Sequence, residues 1–154
     1  MNKNRNFFSS FKNAASGLLN AFLEEANIRF HFMIANLIII FAYFYGLNKT
    51  EWAILFLMII IVLFAELINT SLENAVDTAT KEYSETAKSA KDIAAGSVFL
   101  SAVGSLVVGV CLFGNGEKIA STLTYIFTSP KILIPCLMVG ISDILLLVFA
   151  KKRK

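Results

Sequence analysis

Four long apolar stretches separated by polar ones set the pattern of this chain. FHFMIANLIIIFAYFYGL fills 30–47, WAILFLMIIIVLFA 52–65, IAAGSVFLSAVGSLVVGVCLFG 93–114 and ILIPCLMVGISDILLLVFA 132–150. About 20 mainly apolar residues cross a hydrocarbon core, so each stretch predicts a spanning helix. NKTE at 48–51 leaves room only for a tight reversal between the first two. No Pro or Gly falls between 52 and 80, which predicts one helix over about 52–79 whose last turns leave the bilayer. The third span, about 90–114, is rich in Gly, Ala and Ser, which let helix backbones approach closely in lipid and suit the middle of a bundle. Ahead of the spans, Phe7, Phe11, Ala14, Ala15, Leu18 and Phe22 recur at helical spacing, predicting an amphipathic surface helix over about 6–24. That segment lacks the continuous apolar run of a cleavable signal and carries Glu24 and Glu25. Residues 115–131 are expected as a loop or short interfacial helix. The fold class expected is an all-α membrane protein: surface helix, three-span bundle and an additional C-terminal span, 132–154 with its basic tail.

Composition agrees. The 154 residues are 56% hydrophobic, with 14 Phe, 4 Tyr and 1 Trp, and the mean hydropathy is +0.68. A net charge of +3 is too weak to argue for nucleic acid. Lys and Arg gather in the N-terminal segment, in 78–92 and in the closing KKRK, whereas the opposite loops carry Lys49, Lys118 and Lys131 only. The positive-inside rule then puts both termini in the cytoplasm. Cys111 and Cys136 lie in apolar runs without metal or disulfide spacing and are expected to be plain core or lipid-facing residues.

Against this background, ELINTSLENAVD at 66–77 stands out, because it follows an apolar run directly. Acids at membrane depth are expensive and rare unless they face a bundle interior or a working site. At 100° per residue, Glu66, Asn69, Glu73 and Asp77 fall within an arc of roughly 80° and climb about 16 Å. Three carboxylates make a poor seam between helices, since like charges oppose one another's ionisation and need a cation. The ridge therefore suits a cation and a phosphate. Magnesium takes carboxylate oxygens together with water and substrate phosphates. Glu66, the deepest acid, is placed where a lipid hydroxyl can reach, and desolvation suits it to act as a general base. Lys91 and Asp92 read as an ionic pair at the mouth of the third span, the lysine facing phosphate and the aspartate orienting it. No GxxxxGK[ST] or GxGxxG is present.

The spacing of ELINTSLENAVD resembles, position by position, the motif of the bacterial diacylglycerol kinase and undecaprenol kinase family. EANIRFH at 25–31, EW at 51–52, EY at 82–83 and AKDIAAGSV at 90–98 extend the resemblance over about residues 7–114. It implies an integral-membrane homotrimer of three-span subunits in the bacterial inner membrane, with active sites shared between subunits. It also implies magnesium-dependent transfer of the γ-phosphoryl of ATP to a lipid alcohol, here undecaprenol or diacylglycerol. By position, Glu66 is similar to the catalytic base, and Glu25 and Glu73 to the magnesium ligands. Glu25, Glu73, Glu82, Tyr83, Ser84, Lys91 and Asp92 resemble the ATP-binding set, with Asn69 and Asp77 as supporting polar groups. Asn27, Arg29, Trp52 and Glu66 resemble the lipid-substrate positions, and EANIRFH looks more like the undecaprenol kinase branch. The enterobacterial relatives carry an arginine near the N-terminus, where this chain has Asn6 with Arg5 and Lys12 nearby. The fourth span lies outside the family pattern.

Three residues remain. His31, the lone histidine, is expected as a satisfied interface residue, and Asp143 inside the fourth span is expected to find a partner in the trimer or a water-lined cavity. Pro135 is expected in that span's first turn, where proline is tolerated. The rival functional reading is a non-enzymatic oligomer conducting protons or cations along the ridge. A conducting path has no need of Lys91, Asp92 and Glu25 at its mouth.

Overall fold

The computed structural model describes residues 7–149, and Arg5, Asn6 and the KKRK tail lie outside them. These residues form six helices: α1 (Phe7–Glu24), α2 (Ala26–Tyr45), α3 (Lys49–Ala79), α4 (Glu85–Leu112), α5 (Gly116–Thr128) and α6 (Pro130–Phe149). Among them α2, α3, α4 and α6 are long and apolar enough to cross a membrane. The protein is thus an all-α, multi-pass membrane protein.

Local chemistry sets the boundaries. Gly46 ends α2 in the left-handed region at φ 73°, where glycine carries no Cβ penalty, and its N–H reaches the Ala42 carbonyl. Asn48 and Glu51 then form a reciprocal capping box that starts α3 within the expected tight turn. Ser84 and Asn115 cap α4 and α5 through their side-chain oxygens. The segment after α4 is therefore a true 13-residue helix. α6 begins at Pro130, a favoured first helical position. Pro135 consequently sits beyond the first turn, where the missing N–H leaves the Lys131 carbonyl without its helical donor.

Packing is densest at the Gly46–Asn48 end. Ala42, Tyr45, Leu47 and Leu55 form a buried cluster with Phe41, Trp52, Phe113 and Ile119 against it. Phe113 meets both Phe41 and Tyr45 edge-on, with ring centroids 5.4 and 5.1 Å apart. α5 folds over this end, burying Thr122 and Ile126 and setting Lys118 Nζ 4.1 Å from the Tyr45 ring centroid. α4 packs chiefly on α3, and Ala94 is its one buried residue among those described.

The fourth span packs on α2. Its Asp143 is 7% exposed, and Asn36 of α2 donates from Nδ2 to both carboxyl oxygens at 3.1 and 3.2 Å. An acid deep in an apolar helix is held by a single amide from its neighbour. Removing that amide alone leaves the carboxyl buried and unpartnered, which typically costs about 1–3 kcal/mol. Asn36→Leu should therefore lower the thermal midpoint in detergent, and adding Asp143→Leu should restore most of the loss. If the double variant is no more stable than Asn36→Leu, the pair does not hold α6 in place.

Candidate active site

The 31 residues of α3 extend about 46 Å, well beyond a hydrocarbon core of about 30 Å. Measured from Trp52 near the start of the helix, Glu66 lies about 21 Å along it and Asp77 about 38 Å along. Exposure follows depth. Glu66 is 3% exposed, Asn69 is buried, Glu73 is half-buried, and the Asp77 side chain is 66% exposed. The ridge thus runs from dry to wet along one helix face.

Two contacts organise it. Asn69 donates from Nδ2 to Glu73 Oε1 at 2.9 Å, one helical turn along. The Asn69 Oδ1 atom is buried with no hydrogen-bond partner among the described residues. A buried acceptor left open beside Glu66 is a place for an incoming donor. Lower down, Lys91 Nζ meets Asp77 Oδ1 at 2.8 Å, tying α4 to α3 across the intervening loop. This corrects the expected pairing of Lys91 with Asp92. Residues adjacent on a helix point about 100° apart and do not face one another. Asp92 is exposed.

The loop between α3 and α4 carries the next group. Glu82 and Tyr83 are exposed, and the Tyr83 hydroxyl donates to Glu85 Oε1 at 3.2 Å. Ser84 is occupied as the α4 cap, its Oγ 3.5 Å from the Ala87 N–H.

Glu25 is the single residue between α1 and α2, in an extended conformation at φ −101° and ψ 117°. Arg29, one turn on and 5% exposed, donates from Nη1 to the Phe22 and Leu23 carbonyls at 3.2 and 2.8 Å. A buried cation on the last carbonyls of α1 satisfies groups that helices leave open at that end. Part of the guanidinium is thereby committed to the elbow, while Nε has no partner among the described residues. Asn27 is exposed beside it. Trp52 stacks on Phe56 at the far end of α3, with centroids 5.4 Å apart, so it does not join the ridge. His31 packs edge-on against Phe30. Sequence reasoning missed the Lys91–Asp77 link, the Arg29 strut and the Asn36–Asp143 pair. An Asn in the middle of FHFMIANLIIIF was the available signal for the last of these.

Above Glu66 the spaces between α2, α3, α4 and α5 merge into an apolar cavity of about 970 Å³. Val62, one turn from Glu66 on the same face, lines its lower end. Lys91, Asp77, Glu73, Asn69 and Glu66 therefore lead from water to an apolar cavity within the membrane. Such a series can meet a charged substrate at one end and an apolar one at the other.

A profile of the prokaryotic diacylglycerol kinase family matches residues 12–113. The chain is 38% identical over 112 residues to undecaprenol kinase of Bacillus subtilis, covering 73% of this chain and 91% of that protein. It is 40% identical over 108 residues to diacylglycerol kinase of Synechocystis, covering 70% of this chain but less than two thirds, 62%, of that one. It is also 30% identical over 99 residues to diacylglycerol kinase of Helicobacter pylori, covering 64% of this chain and 77% of that protein. No solved structure matches significantly. The motif at 66–77, the membrane helices that carry it and these relatives agree: the chain belongs to the prokaryotic diacylglycerol kinase family, and it is an enzyme, a lipid kinase.

Proposed function

We propose that this lipid kinase transfers the γ-phosphoryl of ATP to undecaprenol, with Glu66 as general base. The observation that carries the reading is the gradient along α3, from a buried Glu66 to an exposed Asp77 paired with Lys91. The relative named undecaprenol kinase, matched over 91% of its length, supports the choice of lipid. Glu66 takes the proton of the lipid hydroxyl as its oxygen attacks the γ-phosphorus. The bond from that phosphorus to the bridging oxygen breaks, and ADP leaves. Asn69 fixes Glu73 and offers its open Oδ1 to a donor at the reacting end. Lys91, held by Asp77, faces the phosphates from the wet side. Asp92, Glu82, Tyr83 and Ser84 border the nucleotide, and Asn27 and Arg29 line the lipid's approach at the α1–α2 elbow.

Glu25 and Glu73 would hold magnesium, which when bound neutralises phosphate charge during transfer. Their oxygens are the hard donors this ion prefers, and it usually takes only one or two carboxylates beside water and phosphate. Among the described residues no three His, Cys, Asp or Glu converge on one point. Two acids from the protein fit that ion. The lipid, ATP and magnesium would meet at sites shared between the subunits of a homotrimer, in the bacterial inner membrane with both termini cytoplasmic. A sparsely buried α4, packed chiefly on α3, supports further helix partners in the bilayer.

Loss of a positioned acid–base group typically costs about 10²- to 10⁴-fold in rate. Glu66→Gln should lower kcat by that order while nucleotide binding and the circular dichroism spectrum stay as in the parent. Near-normal turnover in this variant would remove Glu66 from the chemistry. Glu25→Ala and Glu73→Ala should each raise the magnesium concentration for half-maximal activity about tenfold, the effect of losing about 1.4 kcal/mol of binding. A magnesium titration identical to the parent's would show that these acids are not the metal site.

A further inference from the structure

We propose that α5 is the end wall of a chain-binding cavity, so that this kinase discriminates lipid alcohols by the length of their apolar chain. The proposal rests on the lipid-kinase reading but not on the identity of the base. The cavity's walls come from Phe30 to Phe41 on α2, Leu55 to Leu63 on α3 and Ala102 to Leu112 on α4, so it is about 16 Å long. Its lower end, at Val62, is one helical turn from Glu66, and both residues are buried. Its upper end is lined by Gly116, Ile119 and Leu123, all from α5.

α5 lies beyond residue 113, where the match to the family profile stops. The helix is held firmly. Asn115 caps it, Lys118 sits on the Tyr45 ring, and its own Thr122 and Ile126 are buried. It packs on both α2 and α6, the latter pinned through Asn36 and Asp143. The segment added after the family-matched stretch therefore builds a rigid end to a space that the matched helices begin.

The occupant follows from polarity and continuity. The cavity is lined almost wholly by apolar side chains, with His31 and Ser105 as the polar exceptions, and its lower end at Val62 lies one helical turn from the head of the polar ridge. A lipid alcohol has the same asymmetry, one hydroxyl followed by an apolar chain. With its hydroxyl at the ridge, its first carbons lie against Val62 and the chain points at α5. A straight chain longer than about 16 Å meets α5 before it has crossed a core of about 30 Å. A longer chain, undecaprenol included, turns aside at α5 and runs out between the helices, so α5 sets how much of it the cavity holds.

Two variants test this in the full-length protein, with kcat/KM measured for a C55 prenol and a C10 prenol in the same lipid nanodiscs. Gly109 lines the cavity, and a Cβ there would meet nothing within 4 Å. Gly109→Leu fills the space from inside, and Leu123→Ala opens the end wall. Small changes of pocket volume shift such ratios roughly tenfold or more. Gly109→Leu should lower the ratio of C55 to C10 by roughly that factor, and Leu123→Ala should raise it. An unmoved ratio in both variants overturns the proposal, and an unmoved ratio with loss of the oligomer assigns the cavity to a second copy of this chain. Glu66→Gln assayed alongside separates the two claims. If it stays active while the ratios move, the base assignment fails and the end wall stands.

Discussion

A carboxylate held at hydrocarbon depth is the condition that the rest of this molecule answers. Glu66 sits about 21 Å along α3 from Trp52, 3% exposed, on a helix otherwise apolar enough for lipid. Acidic residues within membrane spans are costly and rare, and they almost always face a bundle interior or a water-filled cavity. Both α4 and α2 pack on α3. The length of α3 does the rest. By continuing past the core as one uninterrupted helix, it hands the ridge from a dry acid to a wet one without a break in register. Among the described residues, a second helix contributes charge to the ridge at the wet end, where Lys91 reaches Asp77.

Among the described residues, polar side-chain ties between helices are few, and each fixes one junction. Arg29 ties α1 to α2 at the Glu25 elbow, Asn36 ties α2 to α6, and Lys91 ties α4 to α3. Elsewhere the packing is apolar, with Phe113 meeting Phe41 and Tyr45 edge-on. α5 and α6 fit this scheme as additions on the α2 side, away from the ridge. They leave the acids untouched while changing what surrounds the space above them.

Much of this was legible in the chain because it depends on local periodicity. Apolar runs of spanning length and a stripe at 66, 69, 73 and 77 are properties of consecutive residues, and helix geometry converts them directly into faces and depths. The capping box at Asn48 and Glu51 is equally local. What depends on distant contacts was not legible. Lys91 was matched to its chain neighbour Asp92, whereas its partner lies 14 residues back on another helix. Asp143 was expected to meet a partner in the trimer or a water-lined cavity, whereas Asn36 of the same chain, 107 residues away, donates to it. Arg29 was assigned to the lipid, yet two of its hydrogen bonds go to backbone carbonyls, which carry no side-chain signature. α5 was left between loop and helix, since a 13-residue amphipathic segment acquires its order from the bundle it lies on.

The central claim, that the ridge delivers a phosphoryl group to a prenol hydroxyl at the floor of an apolar cavity, is tested most directly by following the γ-phosphoryl itself. The purified protein in nanodiscs would be supplied with magnesium and γ-labelled ATP, with undecaprenol and diacylglycerol offered together at equal concentration. The account predicts label in undecaprenyl phosphate ahead of phosphatidate, and none in either product when magnesium is chelated. Label accumulating chiefly in phosphatidate would contradict the choice of lipid, and ATP turnover without label in any lipid would contradict the account as a whole.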